Sequence, residues 1–342
     1  MAKNPKIEFF KVELQPTNNP DLTFRDLFTR IYQSVDDRDI NGIDDNTLMV
    51  DFFRHFFFKI DTGVVKNAAK RKAFKAKYYG ENAHNNNANL MTLNNIIHGV
   101  IKGGEYDTGK YLGEIDDPDS DEERLEANKL ITDDFYFLLY TPLNSSVGIL
   151  VLQTYTRDNI NDIFKPFVEK LFKVNGIANK AVANLFMPKV LQDQFRNNSI
   201  IKKFVYSNRF VVNAMDQQTM QTGSFTVRVE ITSHGDQVNM NNLPWWKRIL
   251  GRSNINISED NSMDLEAFAS QNGYLQPQVA QSTPTIFELD DTDFEITPTI
   301  FLKNNINLEE NGIPLFDELH EFVLDTLYNT VIPEVYPEDS LI

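Results

Sequence analysis

The chain of 342 residues contains no cysteine. That absence excludes disulfides, thiolate nucleophiles, cysteine-bound zinc and cysteine-held iron–sulfur clusters, and it suits a reducing compartment. Long apolar runs are lacking too. A stretch such as Val147 to Leu152 is far shorter than the ~20 residues needed to span a bilayer, so no transmembrane segment is expected. The start, Met1-Ala2-Lys3-Asn4-Pro5-Lys6-Ile7-Glu8, is basic but has no apolar h-region or cleavage site, so no secretory signal is read there. The expected location is the cytoplasm.

Positive charge is scarce at one end. With 33 Lys and Arg against 49 Asp and Glu, the formal net charge is −16. Residues 255–342 hold eighteen acidic side chains and one basic side chain, Lys303. The preceding 254 residues are close to neutral. Such asymmetry forms a solvated face, repels nucleic acid locally, or serves a basic partner. An apolar share of 41% is enough for a real core, and the length suggests two domains at ~100–200 residues each.

Hydrophobic spacing outlines the elements. Ile7 to Leu14 reads as a strand ending at Pro16, and Thr23 reads as the N-cap of a helix with Phe24, Leu27, Phe28 and Ile31 on one face. Leu48 to Ile60, rich in Phe, is read as entering the sheet core, with a helix the alternative. Ile96 to Ile115 reads as two strands around a glycine-rich turn, Gly103 to Gly109. Phe135 to Tyr140 and Val147 to Tyr155 form a hairpin across Pro142, Asn144 and Ser145. A helix follows from Asp158 or Asn159 to Asn175-Gly176. Asn179 to Phe195 reads as helical with a break near Pro188, and Ile200 to Val212 and Ser224 to Thr232 read as strands. Phe294 to Leu302 is strand-like, and Leu315, Leu319, Phe322, Val323 and Leu327 form a helical stripe.

The strand pairs resemble hairpins and lack regular βαβ alternation. The expected fold is α+β, with a mixed, largely antiparallel sheet, packed helices, a long irregular segment and an acidic C-terminal part. The expected division is an α+β domain over 1–175, a helix and strand extension over 176–232, a mobile segment rich in Asn, Ser and Gln over 233–285, and an acidic strand–helix part over 286–342.

Several motifs fail on their chemistry. Gly104-Glu105-Tyr106-Asp107-Thr108-Gly109-Lys110-Tyr111 approaches a phosphate loop, but Tyr111 occupies the place of the metal-binding hydroxyl, and Glu105 and Asp107 would face the phosphates. Asp117-Pro118-Asp119-Ser120-Asp121 opens like a calcium loop, but Glu122 replaces the glycine and Asn128 the bidentate glutamate. His55, His84, His98, His234 and His320 include no pair at helical metal-site spacing. Glu288, Asp290, Asp291, Asp293 and Glu295 are the densest carboxylates near strands, but Lys303 is the only local base and no Asp…Glu-x-Lys pattern is present. No catalytic residue and no metal site are assigned. No cofactor is expected, with Mg²⁺ entering only if those carboxylates form a nuclease.

Two features survive. Lys66, Lys70, Arg71, Lys72, Lys75 and Lys77 lie in a twelve-residue run without an acid, and Tyr78 and Tyr79 follow. Lysine and arginine neutralise phosphates, and aromatic rings stack on unpaired bases, so these eight residues are candidate nucleic-acid contacts. The alternative is a solvated helical face with Phe74 turned inward. Lys202, Lys203 and Arg209 would extend the patch if the fold brought them near. Pro244-Trp245-Trp246-Lys247-Arg248 contains both tryptophans. Read as a helix, Trp245, Trp246, Ile249 and Leu250 share one side with Lys247, Arg248 and Arg252 toward the other, so Trp245, Trp246, Lys247 and Arg248 are candidate partner contacts. Docking on the protein's own domain is the alternative.

The stretch His98-Gly99-Val100-Ile101-Lys102-Gly103-Gly104, followed by Phe135-Tyr136-Phe137-Leu138-Leu139-Tyr140 and Gly148-Ile149-Leu150-Val151-Leu152-Gln153, resembles uncharacterised bacterial proteins of phage-defence loci. The likeness covers residues 1–175 and carries no catalytic motif. It implies a bacterial cytoplasmic protein engaging foreign nucleic acid or a phage protein. The expected function is thus a nucleic-acid-binding or sensing component of an anti-phage system, with DNA or RNA as ligand and a protein partner or second copy alongside. The alternatives are a metal-dependent nuclease and a protein-interaction module without catalysis.

Overall fold

The computed structural model describes residues 4–34, 42–61, 63–76, 88–112, 122–156, 158–174, 176–197, 199–216, 219–234, 238–258, 261–277, 285–289 and 300–337. In chain order the elements are β1 (Pro5–Pro16), α1 (Phe24–Gln33), α2 (Asp45–Asp61), β2 (Val65–Asn67), β3 (Lys72–Ala76), β4 (Ala88–Met91), β5 (Ile96–Tyr106), β6 (Tyr111–Leu112), β7 (Glu123–Arg124), β8 (Leu130–Tyr140), β9 (Val147–Tyr155), α3 (Asn161–Leu171) and β10 (Ala178–Phe186). They continue with α4 (Lys189–Asn197), β11 (Ser199–Asp216), β12 (Thr219–Thr232), α5 (Leu243–Gly251), β13 (Asn254–Ser258), β14 (Asn261–Asp264), β15 (Ser270–Pro277), β16 (Thr285–Glu288), β17 (Ile300–Phe301), α6 (Phe316–Thr326) and α7 (Ile332–Val335). The fold is α+β with mainly antiparallel sheets. Two compact units form: residues 1–186 with 299–333 and 338–342, and residues 187–298 with 334–337.

In the first unit an antiparallel sheet runs in the order β10-β1-β9-β8-β5-β3-β2, with β17 on β1 and β4 on β5. Alternation along each strand divides the side chains between its two faces. One face carries Phe10, Val12, Ile97, Ile101, Phe137, Leu139, Leu150 and Leu152 against α1, α2 and α3. Phenylalanines dominate that contact: Phe28 stacks on Phe52 at 3.9 Å, and Phe52 on Phe172 at 5.6 Å. Helix α1 starts where expected. The Thr23 hydroxyl accepts from the Asp26 amide, and the Asp26 carboxylate accepts from the Thr23 amide, satisfying two backbone donors.

Several expectations are corrected. Leu48 to Ile60 lies in helix α2, outside the sheet; Leu48, Phe52, Phe56 and Ile60 are buried at spacings of four. Aromatic residues on the other faces, including Phe58 at 64% exposure, mask that period in the sequence. The glycine-rich stretch does not turn at Gly103, because β5 continues to Tyr106 and pairs with β8 throughout. Asn179 to Phe186 belongs to strand β10, not a helix, and Ala181 to Phe186 pair with β1. Edge pairing outweighs the helical preference of its alanines. The Glu169 carboxylate on α3 accepts from the Ala183 amide.

The second unit holds the sheet β12-β11-β15-β16. Its core contains Ile201, Phe204, Tyr206, Leu265, Phe268, Leu275 and Phe287. Gly273 leaves room for the Phe287 ring from the neighbouring strand, which a Cβ there would meet at 2.2 Å. The stretch 233–285, expected to be irregular, contributes α5, β13, β14 and β15. Polar side chains obscure that order in the sequence, because short strands and caps supply it: Asn239 alone accepts from the amides of Asn241 and Asn242.

Candidate functional site

The basic run is a β-hairpin, not a helical face. Val65 to Asn67 pair with Lys72 to Phe74, placing the hairpin at the edge of the large sheet. Its turn is held by the Asn67 side chain accepting from the Lys70 amide, and Arg71 takes the left-handed region at φ 51°. Phe74 points into the helix-side core, as the alternative reading had it, though from a strand and not a helix.

Strand alternation divides the cations. Lys72 shares the Phe74 face, where its ammonium lies 3.2 Å from Asp162 and donates to the Asn159 carbonyl, so it is engaged within the fold. Lys66 and Lys75 point to the opposite face and are exposed. Lys75 pairs directly across the ladder with half-buried Lys102 of β5. Among the described residues, no carboxylate lies within ion-pair distance of Lys66, Lys70, Lys75 or Lys102. Asp134 is next along that row, opposite Lys102. At the hairpin tip the Arg71 guanidinium donates to the Asp107 carbonyl at 3.4 Å and lies 3.9 Å from its carboxylate. Lys77, Tyr78 and Tyr79 lie outside the described residues.

Lys202, Lys203 and Arg209 belong to β11 of the second unit. Lys203 pairs with Glu230 at 2.9 Å and lies over the Tyr274 ring, and Arg209 donates to Ser224. The tryptophan segment is helical, but its sides differ from the expected grouping. Trp246 and Leu250 pack on the second unit's core with Leu243, while Trp245 and Ile249 are exposed. Lys247 donates to the Leu289 carbonyl, and Arg248 is exposed.

Among the described residues, no group of three or more His, Asp or Glu side chains converges as a metal site. Asp290, Asp291, Asp293 and Glu295 lie outside them, as do His84 and Asp117 to Asp121, and Glu288 is an exposed residue on β16. A cavity of ≈ 430 Å³ beside α1 is lined by Arg25, Arg30, Asn18, Asn19, Leu22 and Ile177. Its guanidinium groups are already engaged, Arg25 by Asp45 and Arg30 by Gln33. No described helix is long and apolar enough to cross a membrane.

One constellation is absent from the sequence reading. His98 on β5 and His320 on α6 stack at 3.9 Å, and the Tyr136 hydroxyl lies 2.7 Å from His320 Nδ1. Burial, with His320 alongside, pushes the His98 imidazole down to about 4. Burial also lowers His320, against the opposing pull of Asp317 and Glu321. Both rings are therefore neutral near pH 7, and Tyr136, whose phenol burial holds protonated, shares a hydrogen bond with His320 Nδ1. A separation of 222 positions hides the His pair, and only the strand-to-helix contact makes it visible. No nucleophile accompanies these groups among the described contacts, so they form a polar clamp between helix and sheet.

No protein-family description, curated protein or solved structure matches the chain.

Proposed function

We propose that the chain is a non-catalytic nucleic-acid-binding component of a bacterial anti-phage system, contacting phosphates through the β2–β3 hairpin and adjoining β5. The observation that carries the binding is the direct cross-strand pair Lys75–Lys102. Like charges placed opposite each other destabilise a ladder, and a bound polyanion removes that cost. Lys66 extends the same face, and Lys70 with Arg71 marks the turn. The anti-phage setting rests on the resemblance of residues 98–104, 135–140 and 148–153 alone.

The test is fluorescence anisotropy with short single- and double-stranded DNA and RNA across a salt series, with Mg²⁺ present and a gel to detect cleavage. If Lys66, Lys70, Lys75 and Lys102 each meet a phosphate, log K falls with log salt at a slope of about −3 to −4. The pair Lys70→Glu and Lys75→Glu, at exposed positions, abolishes that binding while the fold persists. Unchanged binding by the folded variant, or no salt-dependent binding by the native chain, refutes the reading. Mg²⁺-dependent cleavage refutes its non-catalytic part.

A further inference from the structure

Helix α5 contains no acidic residue and is anchored by one side only. Leu243, Trp246 and Leu250 bury that side in the second unit's core. Trp245, Arg248, Ile249 and Arg252 follow at spacings of three and four on the outward side, so they form one stripe. Trp245 is 48% exposed and Ile249 42%. Among the described residues, neither Arg248 nor Arg252 has a hydrogen-bond or ion-pair partner. The Trp245 ring is held in place: it packs perpendicular to Trp246, at 4.6 Å and 82°, and Trp246 itself packs against the core.

We infer that this stripe is a stacking platform for single-stranded nucleic acid, with an unpaired base on Trp245 and backbone phosphates on Arg248 and Arg252. The charge pattern selects an anion, since two unpaired guanidiniums follow the ring along the stripe and the helix itself offers no carboxylate. The pre-set indole selects a ligand with a flat π-face, and in a duplex those faces are already stacked on each other. This rests on the nucleic-acid reading above and adds strand selectivity to it. Both tryptophans of the protein lie in α5, so tryptophan emission reports on this helix alone.

The full chain is titrated with a single-stranded oligothymidylate and with a duplex of equal length, following both tryptophan emission and anisotropy. The single strand quenches emission; the duplex binds with little quenching. Trp245→Ala weakens single-strand binding about tenfold and leaves duplex binding unchanged, and Trp245→Phe restores most of the loss. Trp246 emission in Trp245→Ala checks that the helix still docks. If the native chain binds both ligands, loses both with Lys70→Glu and Lys75→Glu, but shows no change with folded Trp245→Ala, the platform is refuted and the hairpin reading stands. If no oligonucleotide binds, both fall. Stronger quenching by vesicles of anionic phospholipid or by polyglutamate than by oligothymidylate also overturns the assignment.

Discussion

Protonating His98 loosens the first unit, and the size of the effect follows from its surroundings. The imidazole is half-buried, lies 3.9 Å from His320, and titrates near 4 when folded against an ordinary 6.5. The unfolded chain therefore takes up the proton first. This contribution to stability is complete above pH 6.5 and drains away as the pH falls from 6.5 toward 4. At about 1.4 kcal/mol per unit the ceiling is about 3 kcal/mol, and residual exposure of the ring brings it to about 2 kcal/mol. The groups facing the pair are Tyr136 from β8 and Asp317 and Glu321 from α6 itself, and these carboxylates soften the effect at His320. Because both tryptophans belong to the second unit, tryptophan emission is not the readout for this change. Hydrogen exchange of amides in β5 and β8 is. Between pH 7 and pH 4.5 the native chain loses about thirtyfold in protection relative to His98→Phe measured at the same pH. The phenylalanine keeps an aromatic face toward His320 and cannot be charged. Parallel loss of protection in both proteins would refute the argument and assign acid sensitivity to carboxylates elsewhere.

Two further outcomes test the packing and the charge row. Gly148→Ala places a methyl 2.7 Å from the Tyr140 carbonyl oxygen and 3.2 Å from the Phe24 ring; because the backbone oxygen cannot step aside, unfolding in urea detects a loss of about 1–3 kcal/mol. Lys75→Glu replaces a like-charge cross-strand pair with an opposite one; stability rises by about 0.5 kcal/mol while polyanion affinity falls, and a loss of both would count against the charge argument.

The hairpin face and the α5 stripe share a design. Each seats one aromatic residue in a core, Phe74 or Trp246, and carries exposed cations beyond it, Lys66 and Lys75 or Arg248 and Arg252, that form no ion pair among the described residues. Against a net charge of −16, such local exceptions govern which anion approaches and where, because screening confines charge effects to roughly 10 Å.

Local chemistry determined much of this protein before any tertiary contact is considered. The strand at Ile7 to Leu14, the cap at Thr23, the hairpin from Phe135 to Tyr155 and the α+β class follow from alternation, helical spacing and turn residues, which act over a few neighbours. The concentration of cations at Lys66 to Lys77 and the two tryptophans were equally plain. Tertiary structure decided the rest. It made α2 a helix despite its aromatic run, drew alanine-rich β10 into an edge strand beside β1, and ordered the polar stretch after residue 233 around a small core. It turned Lys72 toward Asp162 while leaving Lys75 beside Lys102, and sent Trp246 inward while Trp245 stayed out. It brought His98 and His320 ring to ring. Each of these depends on which face of an element is buried and on what strand or helix lies beside it, and those are long-range facts that neighbouring residues do not encode.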